Sequence, residues 1–380
     1  MKIAGLQRAG LTALGAVAAV LFAFAVSSIA IVAAGASPIT ALQAMFDFGD
    51  VTNAVVNNIT TILNRATPLF IAGLAVAIGF RMNLFNIGVE GQYRIAALVA
   101  AFVGGQLALP APLHLTVIIV VAMVAGGLYA LIPALLKVYR GVNEVIATIM
   151  LNFIAISMAA YLVRGPFAGE REEGVLTTST PPIPESGMFP NVNWLFTMFG
   201  LPAPRGAGLW GFLIVAAVVG VVIWVVLERT RFGFEVKASG LNGTAALASG
   251  VNPRTMIISA MVLSGAVAGL IGLPEILGRT GSYGTSFTPG LGFLGIAVAL
   301  LGRNKPGGIA LAALLFGFLD RATTPLQFAD IPPSVVSIIQ GAIVLMVVIA
   351  NEVTRRFALR QEERRAAGHA SAPAPAGASA

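Results

Sequence analysis

The sequence predicts an all-α polytopic membrane protein with about ten transmembrane helices, some broken or re-entrant, and with both termini on the inner side. Composition is the first reason: of 380 residues, 57% are hydrophobic and 10% are charged, against roughly 25% charged in a soluble domain. Length is the second, because apolar runs near 20 residues recur, and at about 1.5 Å per residue such runs match a hydrocarbon core of roughly 30 Å. The third is pattern. Only helices and closed barrels satisfy every backbone N–H and C=O in hydrocarbon, and a barrel would show alternating segments of about ten residues instead.

The first run, Gly10 to Ala34, follows Lys2 and Arg8. It exceeds the 7 to 15 residues of a signal-peptide core, so it reads as a retained span. Further runs lie near 66–80, 84–109, 113–136, 142–163, 208–227, 255–277, 290–302, 306–319 and 334–350. Two of these, 290–302 and 306–319, are short and flank Arg303-Asn304-Lys305-Pro306-Gly307-Gly308. Broken or re-entrant helices are expected there, buried in protein or lining a cavity. Residues 165–206 are rich in Pro, Gly, Ser and Thr, which predicts a sizeable outer loop. The membrane domain extends over 1–359, and residues 360–380, charged and then Ala/Pro-rich, predict a disordered inner tail. With the N-terminus inside and ten spans, 16 of the 23 Lys and Arg fall on inner segments and 6 outside, which supports that orientation.

The net charge of +7 does not indicate nucleic acid, because the basic residues sit at the ends of apolar runs and do not cluster with aromatic residues. The chain has no cysteine, so thiol redox chemistry, disulfides and thiolate metal sites are excluded. It has four lysines and no G-x-x-x-x-G-K-[ST], hence no Walker A site; ATP-driven work would have to come from another chain. His114 and His369 stand alone, and no catalytic, metal or cofactor site is visible.

Polar residues interrupt the apolar runs at three places. In Arg81 to Gln92, if helical, Asn83, Asn86 and Glu90 fall on one face at i, i+3 and i+7. An ionised Glu at bilayer depth costs about 2.5–3.5 kcal/mol on insertion scales and so faces a polar interior. That leaves a translocation path or a structural kink beside it, or else a loop turn at the inner interface, satisfied by water and backbone and bracketed by Arg81 and Arg94. At the start of another span, Asn143 and Glu144 precede Thr148 and Asn152, and the last three recur every fourth residue along one stripe. They either line a polar path, or Glu144 compensates the helix N-terminus while Asn152 joins helices by hydrogen bonds. The third place, 228–254, is an inner loop of small residues flanked by cations, in which Asn242 can cap a short helix over 243–249.

These segments carry a resemblance. GLAVAIGFRMNLFNIGVEGQ after Arg65-Ala66-Thr67-Pro68-Leu69, GVNEVIATIMLN, TPPIPESGMFP and ALLGRNKPGG resemble signatures of permease subunits of bacterial ABC importers for nucleosides and simple sugars, in the branched-chain amino acid permease superfamily. The match covers about residues 60 to 352. RTRFGFEVKASGLNGTAALASGVN is similar to that family's coupling loop, with Gly240, Leu241, Asn242, Ala245, Ala246 and Gly250 in its spacing. The chain departs from the family pattern at Ser239 (Val expected), Asn242-Gly243 (Asn-Pro usual) and Asn83 (Gly commoner).

The resemblance implies a multi-pass permease of the bacterial inner membrane, itself not an enzyme. It would pair with a second, similar permease, with ABC ATPase subunits that receive the coupling loop, and with an extracellular lipid-anchored solute-binding protein. Nucleosides lead as solute, simple sugars such as ribose come second and branched-chain amino acids third. The rival class is a secondary transporter or channel, which also shows Gly-broken spans and buried amides. Such a protein normally needs ion-coupling or filter groups, and midspan Asp, Glu or His are nearly missing here.

Overall fold

The computed structural model describes residues 22, 25–49, 51–170, 177–206, 208–346, 349 and 356. The early part of the expected first span and the tail 360–380 lie outside the described residues. Internal packing divides the chain into two units, Met1–Met45 with Thr323–Ala380, and Phe46–Ala322.

The described part of the first unit is helical. Helices α1 (Ala25–Ala33) and α2 (Pro38–Phe46) meet at a bend of 107°, where Gly35 takes a φ of +81°. Ser334–Met346 forms a further short apolar helix, α15, with Val335, Val336, Ile339 and Ala342 buried.

The second unit is built around α3 (Thr52–Arg81), in which every residue from Ala66 to Gly79 except Phe70 is buried. A helix apolar on all sides belongs inside a bundle. Small residues let its neighbours approach. Gly295 of α13 (Leu291–Leu301) lies against Ala72, and Gly73 faces Val298 and Ile309. The same logic joins α5 (Ala111–Arg140) to α11 (Pro253–Gly269). Gly126 meets the backbone of Gly265 and Gly269, Gly265 meets Ala130, and Gly269 meets Ala122. Such glycine and alanine seams are how helices pack where lipid removes the hydrophobic drive. The outer faces are different in kind: Val120, Val124 and Leu128 of α5, Phe153 and Ile154 of α6 (Glu144–Arg164), and Val218, Val221 and Val222 of α8 (Phe212–Arg229) are all exposed. Apolar surface of this extent belongs against acyl chains.

Among the described residues there is no strand, only an isolated bridge between Ser179 and Gly284. Six helices among the described residues are long and apolar enough to span a bilayer: α3, α5, α6, α8, the 28 residues Pro253–Thr280 that hold α11 and the short α12 (Leu273–Glu275), and α14 (Pro306–Phe328). The bent pair α1–α2 raises this to seven. The chain is therefore an all-helical, multi-pass membrane protein. The run 84–109 is not one helix. Residues 82–88 form turns and irregular backbone, and α4 (Val89–Gln106) begins only after them. The stripe of Asn83, Asn86 and Glu90 consequently does not exist as a helix face.

Among its described residues the long connection between α6 and α8 holds a 3-10 turn at Glu185–Gly187 and a short helix, α7 (Trp194–Met198), and it docks along the chain after α11. Thr180 N–H donates to Tyr283 O at 2.9 Å, Ile183 N–H to Gly281 O at 2.8 Å, and Phe189 N–H to Leu277 O at 2.8 Å. His114 fastens it to the bundle: Nε2 donates to Gly104 O at 2.9 Å, which leaves Nδ1 to accept from the Ser186 hydroxyl at 2.9 Å. The histidine that stands alone in sequence is a buried clasp.

Candidate functional site

The break between α3 and α4 starts with Asn83, whose φ of +57° ends α3. Asn and Gly are the residues that adopt this left-handed region readily, so Asn83 meets the backbone demand of the turn. Asn83 itself is exposed, while Met82 and Leu84 are buried.

Beyond it the polar side chains turn inward. Asn86 and Gln92 pair amide to amide, with Asn86 Nδ2 donating to Gln92 Oε1 at 3.1 Å and Gln92 Nε2 to Asn86 Oδ1 at 3.0 Å. Asn86 Nδ2 also donates to Ser264 Oγ of α11 at 2.9 Å, and Ser264 donates to Ala75 O of α3 at 2.6 Å. From α6, Asn152 Oδ1 accepts from Gly91 N–H at 2.8 Å and its Nδ2 donates to Ile87 O at 3.0 Å. Thr148, fully buried, donates to Glu144 O at 2.7 Å within its own helix.

Glu90 reaches furthest. Its Oε1 accepts from Arg94 Nε at 2.8 Å, from the Tyr93 hydroxyl at 3.2 Å and from Gly290 N–H at 3.0 Å. Its Oε2 accepts from Gly292 N–H at 3.0 Å. Gly290 and Gly292 open α13, so this carboxylate caps the N-terminus of a helix some 200 residues away, where negative charge is favoured. The single Tyr93 hydroxyl proton is shared between Glu90 Oε1 and Thr288 O, the nearer acceptor at 2.8 Å. Nearby, the Tyr283 and Phe287 rings lie 4.5 Å apart, and burial pushes the Tyr283 phenol above its usual value, so it stays protonated.

Of the candidate path residues the structure therefore gathers Asn86, Glu90, Thr148 and Asn152 around one break, with their polar atoms committed to protein partners. Asn143 and Glu144 sit at the start of α6, where the Glu144 carboxylate is also hydrogen-bonded by the backbone of Phe85 in the break. Asn143 Oδ1 caps that helix by accepting from Val145 N–H at 2.9 Å, and Glu144 Oε2 pairs with Lys137 Nζ at 2.6 Å. Sequence reasoning missed Gln92, Ser264 and the glycines after Thr288 as members of this network. A serine inside an otherwise apolar run was the available signal for Ser264, whereas nothing local marks Gly290 and Gly292 as partners of Glu90.

The loop 228–254 folds into α9 (Arg231–Leu241) and α10 (Gly243–Ala248). Asn242 caps α10, accepting from Ala245 N–H at 3.0 Å, and Gly250 turns the chain out at a φ of +82°. The faces differ from the sequence expectation. Ala246 is only 4% exposed, and a Cβ on Gly240 would stand 2.7 Å from the Met82 carbonyl carbon, so these two small residues serve contacts within the chain. The exposed apolar side chains are Phe234, Leu241 and Leu247, with Ala245 beside them.

The departures at Ser239 and Gly243 have measurable consequences. The Ser239 hydroxyl is buried without a hydrogen-bond partner, and burial of such a group costs about 1–3 kcal/mol. Ser239→Ala, and Ser239→Val if the neighbours give, are expected to raise the melting temperature of the purified chain by a few degrees; unchanged or lowered melting in both would show that the hydroxyl is solvated. Gly243 is the first residue of α10, where proline fits, and a Cβ there meets only Pro253 at 3.6 Å. Gly243→Pro is therefore expected to be tolerated.

Six spanning helices among the described residues, a break between α3 and α4 lined by satisfied polar groups, and a pair of short helices carrying exposed leucines define a membrane transport subunit. The chain belongs to the family described as branched-chain amino acid transport system, permease component, which matches residues 58–348. It is similar to the glucose ABC transporter permease of Haloferax volcanii, 36% identical over 89% of this chain and 87% of that one. It is also similar to the guanosine ABC transporter permease of Bacillus subtilis, at 37% over 80% and 84%, and to the nucleoside ABC transporter permease of Lactococcus lactis, at 30% over 87% and 89%. It is thus the membrane subunit of an ABC transporter, not an enzyme, and ATP hydrolysis falls to a partner ATPase.

Proposed function

We propose that this chain forms the solute path of a nucleoside importer in a bacterial inner membrane, as one of two similar permeases receiving solute from an extracellular lipid-anchored binding protein. The observation that carries the solute is the pair of relatives named for guanosine and nucleosides, aligned over 80% and 87% of this chain. The Haloferax relative, named for glucose, supports simple sugars as the second reading. Uptake of labelled nucleosides, ribose, glucose and branched-chain amino acids, by cells with and without this chain, tests the choice. Nucleoside uptake is expected to fall at least tenfold on deletion, and an unchanged nucleoside rate with lost sugar uptake would exchange the two readings.

In this proposal the domain 1–359 crosses the membrane about ten times, with both termini and the tail 360–380 inside, 165–206 outside and 228–254 at the ATPase. The basic asymmetry of the loops supports that orientation. Met198 and Leu247 are 73% and 62% exposed, and the chain is naturally free of cysteine. Met198→Cys is expected to react with an impermeant thiol reagent on intact cells, and Leu247→Cys only once the cells are opened; the reverse pattern would invert the topology.

Gly240, Leu241, Asn242, Ala245, Ala246 and Gly250 form the coupling element in this reading. Leu241, Ala245 and Leu247 meet the ATPase, Asn242 and Gly250 bound the helix, and Gly240 and Ala246 seat it on the chain. Asn86, Glu90, Thr148 and Asn152 shape the path by holding the backbone of the break, Asn143 and Glu144 by setting the start of α6, and Asn83 by making the turn.

A further inference from the structure

A groove of about 470 Å³ lies open on the side of the second unit between α3, α8 and α14, and its walls include Thr67, Phe70, Ala217, Trp224, Gly307 and Ala310. We propose that this groove holds one acyl chain of an anionic phospholipid, whose headgroup is met by Arg229 and Lys305.

The helix directions place the charges at one end. Asn64 bonds Gly208 O and Trp210 N–H, and Arg81 pairs with Glu228, so α8 runs parallel to α3. Ile309 lies on Gly73 and Gly317 on Ile62 and Ala66, so α14 runs antiparallel to both. Trp224, Pro306 and Gly307 therefore share the end of the groove nearest Arg81. There the Arg229 guanidinium stacks 5.2 Å from the Trp224 ring centroid, and Lys305 directly precedes the lining residue Pro306. Both cations are exposed, and neither has an ion-pair partner among the described residues. Basic side chains between membrane helices at headgroup level are what anionic lipids bind, and tryptophan marks that level.

Size selects the occupant. On α8 the groove runs from Leu213 to Val221 and Trp224, about 16 Å at 1.5 Å per residue, or half of a roughly 30 Å core. It is one leaflet deep. A transmembrane helix would overrun it by the depth of a leaflet, whereas a single acyl chain is one leaflet long.

The test uses the assembled transporter in nanodiscs with equal phosphatidylglycerol and phosphatidylcholine of identical chains, and native mass spectrometry of the lipid retained by this subunit. Phosphatidylglycerol is expected to be retained at least fivefold over phosphatidylcholine. Arg229→Gln with Lys305→Gln, both at exposed positions, is expected to erase that preference, and Ala217→Phe to lower retention of both lipids. Gly307→Leu is a second filling variant, because a Cβ at Gly307 meets nothing within 4 Å. Equal retention of the two lipids by the unaltered chain overturns the proposal, as does undiminished retention by both filled variants. If the filled variants instead lose the second permease while keeping their lipid, the groove is a subunit interface and the proposal also fails.

Discussion

Glu90→Ala is expected to destabilise the chain by about 3–5 kcal/mol, the cost of breaking a buried pair from one side, and to remove most of it from the membrane. The carboxylate is withdrawn from four donors at once: the Arg94 guanidinium, the Tyr93 hydroxyl and the first amides of α13. Arg94, whose side chain is 13% exposed, would be left as an uncompensated cation. Glu90→Gln keeps one acceptor oxygen and should lose less, and Arg94→Met added to Glu90→Ala should recover part of the loss. Membrane level and melting temperature are the readouts. An alanine variant that inserts fully, melts normally and differs only in solute affinity would show that Glu90 touches solute and is not a scaffold.

Leu247→Glu is expected to reduce uptake at least tenfold while the permease stays at normal level in the membrane. Leu247 is 62% exposed on α10, and covering an apolar side chain of this size contributes about 1.5–3 kcal/mol, enough for a tenfold change in association. Ala246→Arg separates the two faces of the same helix. Ala246 is buried within the chain, so arginine there overpacks and desolvates a charge and should lower the amount of folded permease. Normal uptake by Leu247→Glu would remove α10 from the interface with the ATPase.

The helices that face lipid were legible because exposure to acyl chains demands apolar side chains, and runs such as 113–136 and 208–227 emerge as α5 and α8. The cap at Asn242 was legible too, since a cap is a local bond. The break at 82–88 was readable only as one of two alternatives. Whether Asn86 continues a helix or turns inward depends on Ser264, 178 residues away, and no periodicity reports a partner at that distance. Ala246 escaped for a related reason. A small residue in a loop looks the same in sequence whether the close neighbour is another protein or the chain itself.

The seam between α5 and α11 constrains how the subunit can change shape. Gly126, Gly265 and Gly269 bring the two backbones so near that even a methyl group would collide with a carbonyl. To slide by one turn, about 5.4 Å, either helix would have to carry bulkier residues through that contact. The two helices are therefore expected to move as a single girder, as are α3 and α13, where Gly295 meets the Ala72 backbone, and any displacement within the second unit has to be taken up along seams that lack such main-chain contact.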